Sequence, residues 1–183
     1  QRATGLVLFA KTHESLRRLS EYFRNQRILK IYLACVERKP DSISGILTHW
    51  VVPQRYGNKV QVFSSLEDIP QQKRRSAKQA TLVYELAGAS DRYWFLRIEL
   101  HTGRRHQIRA QLAAQGWPIK GDLKYGSHRS IPSGRILLHS WVMEFPHPID
   151  GHLLRLTAPL PDDEPLYRVL QGILRKREDA GTS

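Results

Sequence analysis

The chain has 183 residues, enough for one domain with a sizeable core, and it carries 29 Lys and Arg against 17 Asp and Glu, a formal charge of +12. A field of that sign favours polyanions, nucleic acid first among them, and no long apolar run, lipidation signal or basic amphipathic helix of the membrane type points to a bilayer instead. The lone Cys35 excludes an internal disulfide and a cysteine-built metal cage, and it suits a reducing compartment, the cytoplasm or an organelle matrix.

Hydrophobic periodicity predicts the elements in chain order. Residues 5–10 alternate as a strand. Thr12 is placed to cap a helix running to Gln26, with Leu16, Leu19, Tyr22 and Phe23 on one face and Arg17, Arg18 and Arg24 on the other. A second strand covers residues 29–37, and Cys35 inside its apolar run reads as a small buried hydrophobe rather than a nucleophile. Short strands follow at 46–52 and 59–63. Residues 64–79 are polar, contain Lys73, Arg74 and Arg75, and read as an exposed loop. Paired strands are expected at 80–86 and 93–100, and further sheet at 136–140, 141–145 and 153–158. From Pro165 onward Leu166, Val169, Leu170, Ile173 and Leu174 recur at helical spacing, ahead of a fraying basic tail that starts at Arg175. Many strands with two or three helices predict an α+β fold, a mixed, largely antiparallel central sheet with flanking helices. Trp50, Trp94, Trp117 and Trp141 read as packing residues, because they are not interleaved with basic residues as a single-strand binding groove requires.

Charge and turn chemistry meet in the run HTGRRHQIR, residues 101–109. Thr102 and Gly103 break the preceding strand, and a helix is predicted over residues 104–115, facing inward through Ile108 and Leu112. Backbone N–H groups at a helix start attract anions, and guanidinium forks pair with phosphate or carboxylate. On these residues alone an anion-binding junction and a solvated basic helix end are both open. The histidines are scattered, and His101 with His106 lacks the spacing of a helical metal pair, so no metal is expected. Asp122, in the turn before Leu123, reads as a cap on backbone N–H groups rather than as a nucleophile, and Tyr125 as packing beneath the site.

Taken with its surroundings, that run becomes specific. The stretches TGLVLFAKT (4–12), LKIYLACVE (29–37), LHTGRRHQIRAQLAAQGWPIKGDLKYG (100–126) and LLHSWVMEFPHPIDG (137–151) together resemble the RluA-type family of RNA pseudouridine synthases, from about residue 1 to about residue 160. The resemblance implies that residues 1–183 are a pseudouridine synthase catalytic domain incomplete at its N-terminus. The family's nucleophilic aspartate is expected immediately before Gln1, outside the chain, with two or three strands further upstream. It also implies isomerisation of specific uridines to pseudouridine in ribosomal or transfer RNA, with no cofactor.

The residue roles follow from the same resemblance. Arg109 is expected beside the aspartate, since a carboxylate that must stay ionised in a dry pocket needs a fixed positive neighbour. Tyr32 matches the family's active-site tyrosine, whose face stacks on uracil while its phenol reaches a proton at the reforming C5 centre. Strand alternation puts Tyr32 on the face opposite Ile31 and Leu33, together with Lys30 and Ala34. Uracil must leave the RNA stack to react, so the flanking nucleotides need grips. Arg104 and Arg105 are the first candidates for RNA binding, then His106 and Gln107, with Arg2 near the expected aspartate. Lys30 is read either as a phosphate contact or as solvation of its strand end. The substrate is structured RNA, and nothing demands more than a monomer. A non-catalytic RNA-binding protein with a degenerate synthase fold, and a basic structural protein of a ribonucleoprotein, are the alternatives.

Overall fold

The computed structural model describes residues 3–54 and 57–181. Among them, eight strands form one sheet: β1 (Thr4–Gly5), β2 (Leu29–Val36), β3 (Ser44–Pro53), β4 (Val60–Phe63), β5 (Lys78–Ala89), β6 (Trp94–Leu100), β7 (Leu138–Pro146) and β8 (Leu153–Thr157). The spatial order is β1-β7-β2-β6-β5-β3-β4, with β8 also paired to β7. Every pairing is antiparallel except the parallel one between β1 and β7. The helices are α1 (His13–Arg24), α2 (Gln107–Ala114) and α3 (Pro165–Gly181). This is the expected α+β architecture, a mixed, largely antiparallel sheet with flanking helices. Among the described residues no helix is long and apolar enough to cross a membrane.

The apolar run of β2 is continuous because both faces of that strand are covered. Ala34 and Val36 join Leu96 and Ile98 of β6 beneath Ile108 and Leu112 of α2. Leu33 and Cys35 point the other way, into a second cluster with Phe95 and with Tyr167 and Leu170 of α3. Burial pushes the Cys35 thiol well above its ordinary pKa, which keeps it protonated and inert, as its setting in the sequence implied.

Several elements depart from the periodicity. The strand expected over residues 5–10 pairs only at Thr4 and Gly5, followed by one bond from the Leu6 N–H to the Ser140 carbonyl (3.0 Å). Beyond that point β8 occupies the same edge of β7, from Val142 opposite Thr157 onward, so the chain has no partner left. Leu6, Leu8 and Ala10 still pack inward, while Val7 and Phe9 are 71% and 82% exposed. Helix α1 begins where expected, with the Thr12 hydroxyl accepting from the Ser15 N–H (3.1 Å). Its apolar face is only partly used: Leu19 is buried and Tyr22 packs beside it, but Leu16 and Phe23 are exposed because the helix rests on a narrow seam of Met143 and Phe145. The two strands expected over residues 136–145 are one, β7, with a bulge that leaves Trp141 between the partners of Ile31 and Tyr32. The basic tail does not fray at Arg175: α3 continues, and Arg177 donates to Glu85 Oε1 (2.8 Å) and to the Leu86 carbonyl (2.9 Å). Lys73, Arg74 and Arg75 are exposed, as expected, on a short 3-10 turn (Gln71–Ser76).

Gly5 is fixed by its contact with β7. Its φ is +101°, and a Cβ there would lie 2.2 Å from the Ser140 carbonyl oxygen. Gly5→Ala is expected to destabilise the fold by more than about 1 kcal/mol, measured by urea unfolding, because strain and overlap add. Stability equal to that of the unmodified chain would show that the β1–β7 junction is dispensable.

Candidate active site

The loop after β6 is braced by one side chain. Gln107 Oε1 accepts from the Thr102 hydroxyl (2.8 Å) and the Arg104 N–H (2.9 Å), while its Nε2 donates to the Thr81 carbonyl (3.1 Å). Thr102 in turn accepts from the Thr81 N–H (2.9 Å). His106 sits just before the helix with φ +50°, a left-handed residue that cannot lie inside an α-helix. For that reason α2 starts at Gln107, three residues later than expected. One turn on, buried Gln111 Nε2 lies 3.0 Å from the Leu47 carbonyl, 3.1 Å from the Ala80 carbonyl and 3.0 Å from His49 Nδ1, which pins α2 onto β3 and β5. Gln107, expected among the RNA contacts, is only 2% exposed and has both ends of its amide engaged within the protein. Arg104 and Arg105 stay outside the helix and exposed, with Arg104 anchored by a bond from its Nε to the Gln79 carbonyl (3.0 Å).

Arg109, on the first turn of α2, points into the protein. Its Nε and one terminal nitrogen donate to the two carboxylate oxygens of Asp122 at 2.6 and 2.7 Å, with Asp122 completely buried. The Asp122 side chain therefore neutralises a buried cation, and the capping role expected for it is not what it does: no side-chain cap bond forms at the 3-10 turn it precedes. Gly121 makes this possible. It has φ +86°, and a Cβ would come within 2.7 Å of the Arg135 carbonyl. The Arg109 guanidinium carbon lies 5.0 Å from the centroid of Tyr125, whose hydroxyl accepts the Val60 N–H (3.0 Å) and lies 3.0 Å from His106 Nδ1. Burial, then the Arg109 charge, holds the His106 pKa below the usual imidazole range, and burial raises that of Tyr125. Tyr125, expected as packing, thus joins β4, the start of α2 and the Arg109–Asp122 pair.

Three depressions lie side by side along this segment. A central one of about 150 Å³ is lined by Tyr32, Leu100, Arg104, His106, Gln107, Ile108, Arg109 and Leu138, so it brings Tyr32 and Arg109 together. Arg104 also lines a neighbour of about 200 Å³, with Val51, Pro53, Val60, Ser76, Lys78, Gly103 and Arg105. His106 and Arg109 line a third of about 420 Å³, with Asn58, Leu123 and Lys124. The outcome is an aromatic and guanidinium centre between two cationic flanks. Lys30 lines none of the three. It is 6% exposed, with Nζ 5.9 Å from the Phe23 ring centroid and no ion-pair partner among the described residues, and burial lowers its pKa. That corrects the strand-end solvation reading. Arg2 and the aspartate expected before Gln1 lie outside the described residues.

Removing one member of a buried pair strands the other charge, at a cost of about 3–5 kcal/mol. Asp122→Ala is expected to lose that much stability in guanidinium titration, and Arg109→Met combined with Asp122→Ala to lose clearly less than the sum of the two single changes. Strict additivity would mean that the pair is not energetically coupled.

Comparison with known proteins gives the family. Residues 1–114 match the family described as RNA pseudouridylate synthase. An uncharacterized RNA pseudouridine synthase of Chloroflexus aurantiacus is 30% identical over 177 residues, covering 96% of this chain and 51% of that protein. The ribosomal large subunit pseudouridine synthase D of Vibrio cholerae is 29% identical over 97% of this chain and 54% of its own length, so the chain spans about half of these relatives. Among solved structures, human RNA pseudouridylate synthase domain containing 1 shares the fold with a TM-score of 0.63 at 20% identity, over 90% of this chain and 73% of that one. With the family matched over more than half of its residues and the fold shared, this chain belongs to the RNA pseudouridylate synthase family.

Proposed function

We propose that this chain supplies the base-handling and RNA-gripping core of an enzyme that isomerises uridine to pseudouridine in structured RNA. The observation that carries the reading is the central depression, in which Tyr32 and Arg109 share walls and cationic flanks open on both sides. In the reaction the N1–C1′ bond breaks, uracil turns, a C5–C1′ bond forms, and the proton leaving C5 is balanced by one taken up at N1. No electrons are gained or lost. The nucleophilic aspartate, expected directly before Gln1, acts on the sugar, at C1′ or at the C2′ proton. Parallel pairing of β1 supports its entry at this edge, because Thr4 lies opposite His139, the residue after Leu138 in the wall of the depression.

Each side chain then has a defined task. The N–H donors of Arg109 not used by Asp122 face the nucleophile's charge, and Asp122 holds the guanidinium in one orientation. Tyr32 stacks on the flipped uracil and handles the proton at C5. Arg104 and Arg105 hold flanking phosphates. His106, neutral near pH 7, donates or accepts a hydrogen bond rather than adding charge. Gln107 acts as the brace of the loop. Buried Lys30, lacking a carboxylate partner among the described residues, is drawn to a phosphate. Large-subunit ribosomal RNA is the favoured substrate ahead of transfer RNA, following the name of the Vibrio cholerae relative; a monomer in the cytoplasm or an organelle matrix is the setting that goes with this reading.

Tritium release from RNA labelled at uridine C5, with the full-length protein, tests the activity. Release from large-subunit ribosomal RNA is expected, and Tyr32→Phe is expected to slow it by at least about 100-fold with RNA affinity unchanged. No release from any ribosomal or transfer RNA, with tight binding retained, would make the protein a non-catalytic RNA binder. A separate prediction concerns the flanks. Arg104→Ala and Arg105→Ala should each reduce the slope of log K against log salt by about 1 in filter-binding titrations. An unchanged slope in both variants would remove them from the phosphate contacts.

A further inference from the structure

The turn between β7 and β8 carries a second cluster of chemical groups, and none of its residues lines the three depressions. Beyond the last rung, Pro146 opposite Leu153, the next pair across the hairpin is His147 and His152, closed by the His147 N–H donating to the His152 carbonyl (2.7 Å). The Gly151 N–H donates to the His147 carbonyl (3.0 Å), which tightens the turn. Facing residues of a hairpin are nearest neighbours, so the two imidazoles stack, with centroids 4.9 Å apart and planes 22° apart. Asp150 folds back between them: its Oδ1 lies 2.9 Å from His147 Nδ1 and 2.5 Å from His152 Nδ1. All three donor atoms fall within 4.8 Å of one another.

That donor set has a chemical preference. Two imidazole nitrogens and one carboxylate oxygen suit a borderline divalent transition ion of the zinc, cobalt or nickel type, with a position left for water. Magnesium and calcium call for more oxygen ligands than the turn offers. Bonds of about 2.0–2.1 Å in tetrahedral array separate ligand atoms by about 3.3 Å, so Asp150 Oδ1 must move away from the two imidazole nitrogens, now at 2.9 and 2.5 Å, by roughly 0.4 and 0.8 Å. Small side-chain rotations supply the difference. Both Asp150 and His152 are more than half exposed, so an ion reaches them from solvent. Arg18 donates to the Ile149 carbonyl (3.3 Å) and steadies the tip, and Glu14 at 2.6 Å offsets its charge.

We propose that His147, Asp150 and His152 bind one divalent transition metal ion that staples the tip of the β7–β8 hairpin. The expectation of no metal rested on scattered histidines without helical pair spacing and on the family resemblance, whereas here a turn brings three candidate ligands together. Chelator-treated protein should take up one equivalent of Zn²⁺ in isothermal titration calorimetry. With Co²⁺ it should give the visible absorption of a four-coordinate site. Asp150→Asn and His152→Ala should each weaken Zn²⁺ binding by at least about tenfold, and His128→Ala, at an exposed histidine elsewhere, should leave it unchanged. Zn²⁺ should also raise the melting temperature of the unmodified protein but not of the two variants, whose folding circular dichroism verifies. Absence of a saturable one-equivalent site, or unmodified affinity in either ligand variant, would overturn the proposal and leave the cluster a hydrogen-bonded triad.

Discussion

The Arg109–Asp122 pair is the constraint around which the site is built. Two opposite charges out of water cost several kcal/mol each in lost hydration, and only close, two-pronged geometry recovers that cost. The chain secures the geometry from both sides. Gln111 and Gln107 fix α2 in height and rotation, and Gly121 lets the following turn approach the Arg135 backbone closely enough to present the carboxylate. Tyr125 then closes the arrangement, lying under the guanidinium while its hydroxyl reaches both β4 and His106. A guanidinium held in this way presents its remaining donors in one direction only, which is what a fixed partner for an anion requires.

The sheet supplies the other half. Because β2 is buried on both faces, its register is set by two independent clusters, and a one-residue slip would exchange the contents of both. Tyr32 inherits that rigidity. The bulge at Trp141 falls between the partners of Ile31 and Tyr32, so β7 changes register beside the tyrosine. The polar cleft therefore rests on a strand packed on both faces, with the exposed arginines on its cationic flanks.

Much of this was legible in the sequence, where local chemistry decides the outcome. The Thr12 cap, the doubly buried β2 and the start of α3 follow from hydroxyl capping, apolar runs and helical spacing. The resemblance brought Tyr32 and Arg109 into view together. Features that depend on partners distant in the chain were not legible. The strand at residues 5–10 failed because β8 competes for one edge of β7. Gln107 was expected at the surface because nothing nearby reveals Thr81, 26 residues earlier, as its acceptor. Asp122 was expected to cap because aspartate in a turn usually does, and its partner lies 13 residues away on a helix whose inward face also carries apolar residues. The pairing of His147, Asp150 and His152 did leave a local signal, short spacing across Pro148 and Gly151, which a search for helical ligand pairs passes over.

The parallel pairing of Thr4 with His139 joins the start of the described chain to β7. Their side chains meet at 2.8 Å across 134 intervening residues, the longest side-chain hydrogen-bond span among the described residues. Closing so long a loop carries an entropic cost that is recovered only once β7 already stands in place beside β2. During synthesis β1 can pair with β7 only after β7 has emerged.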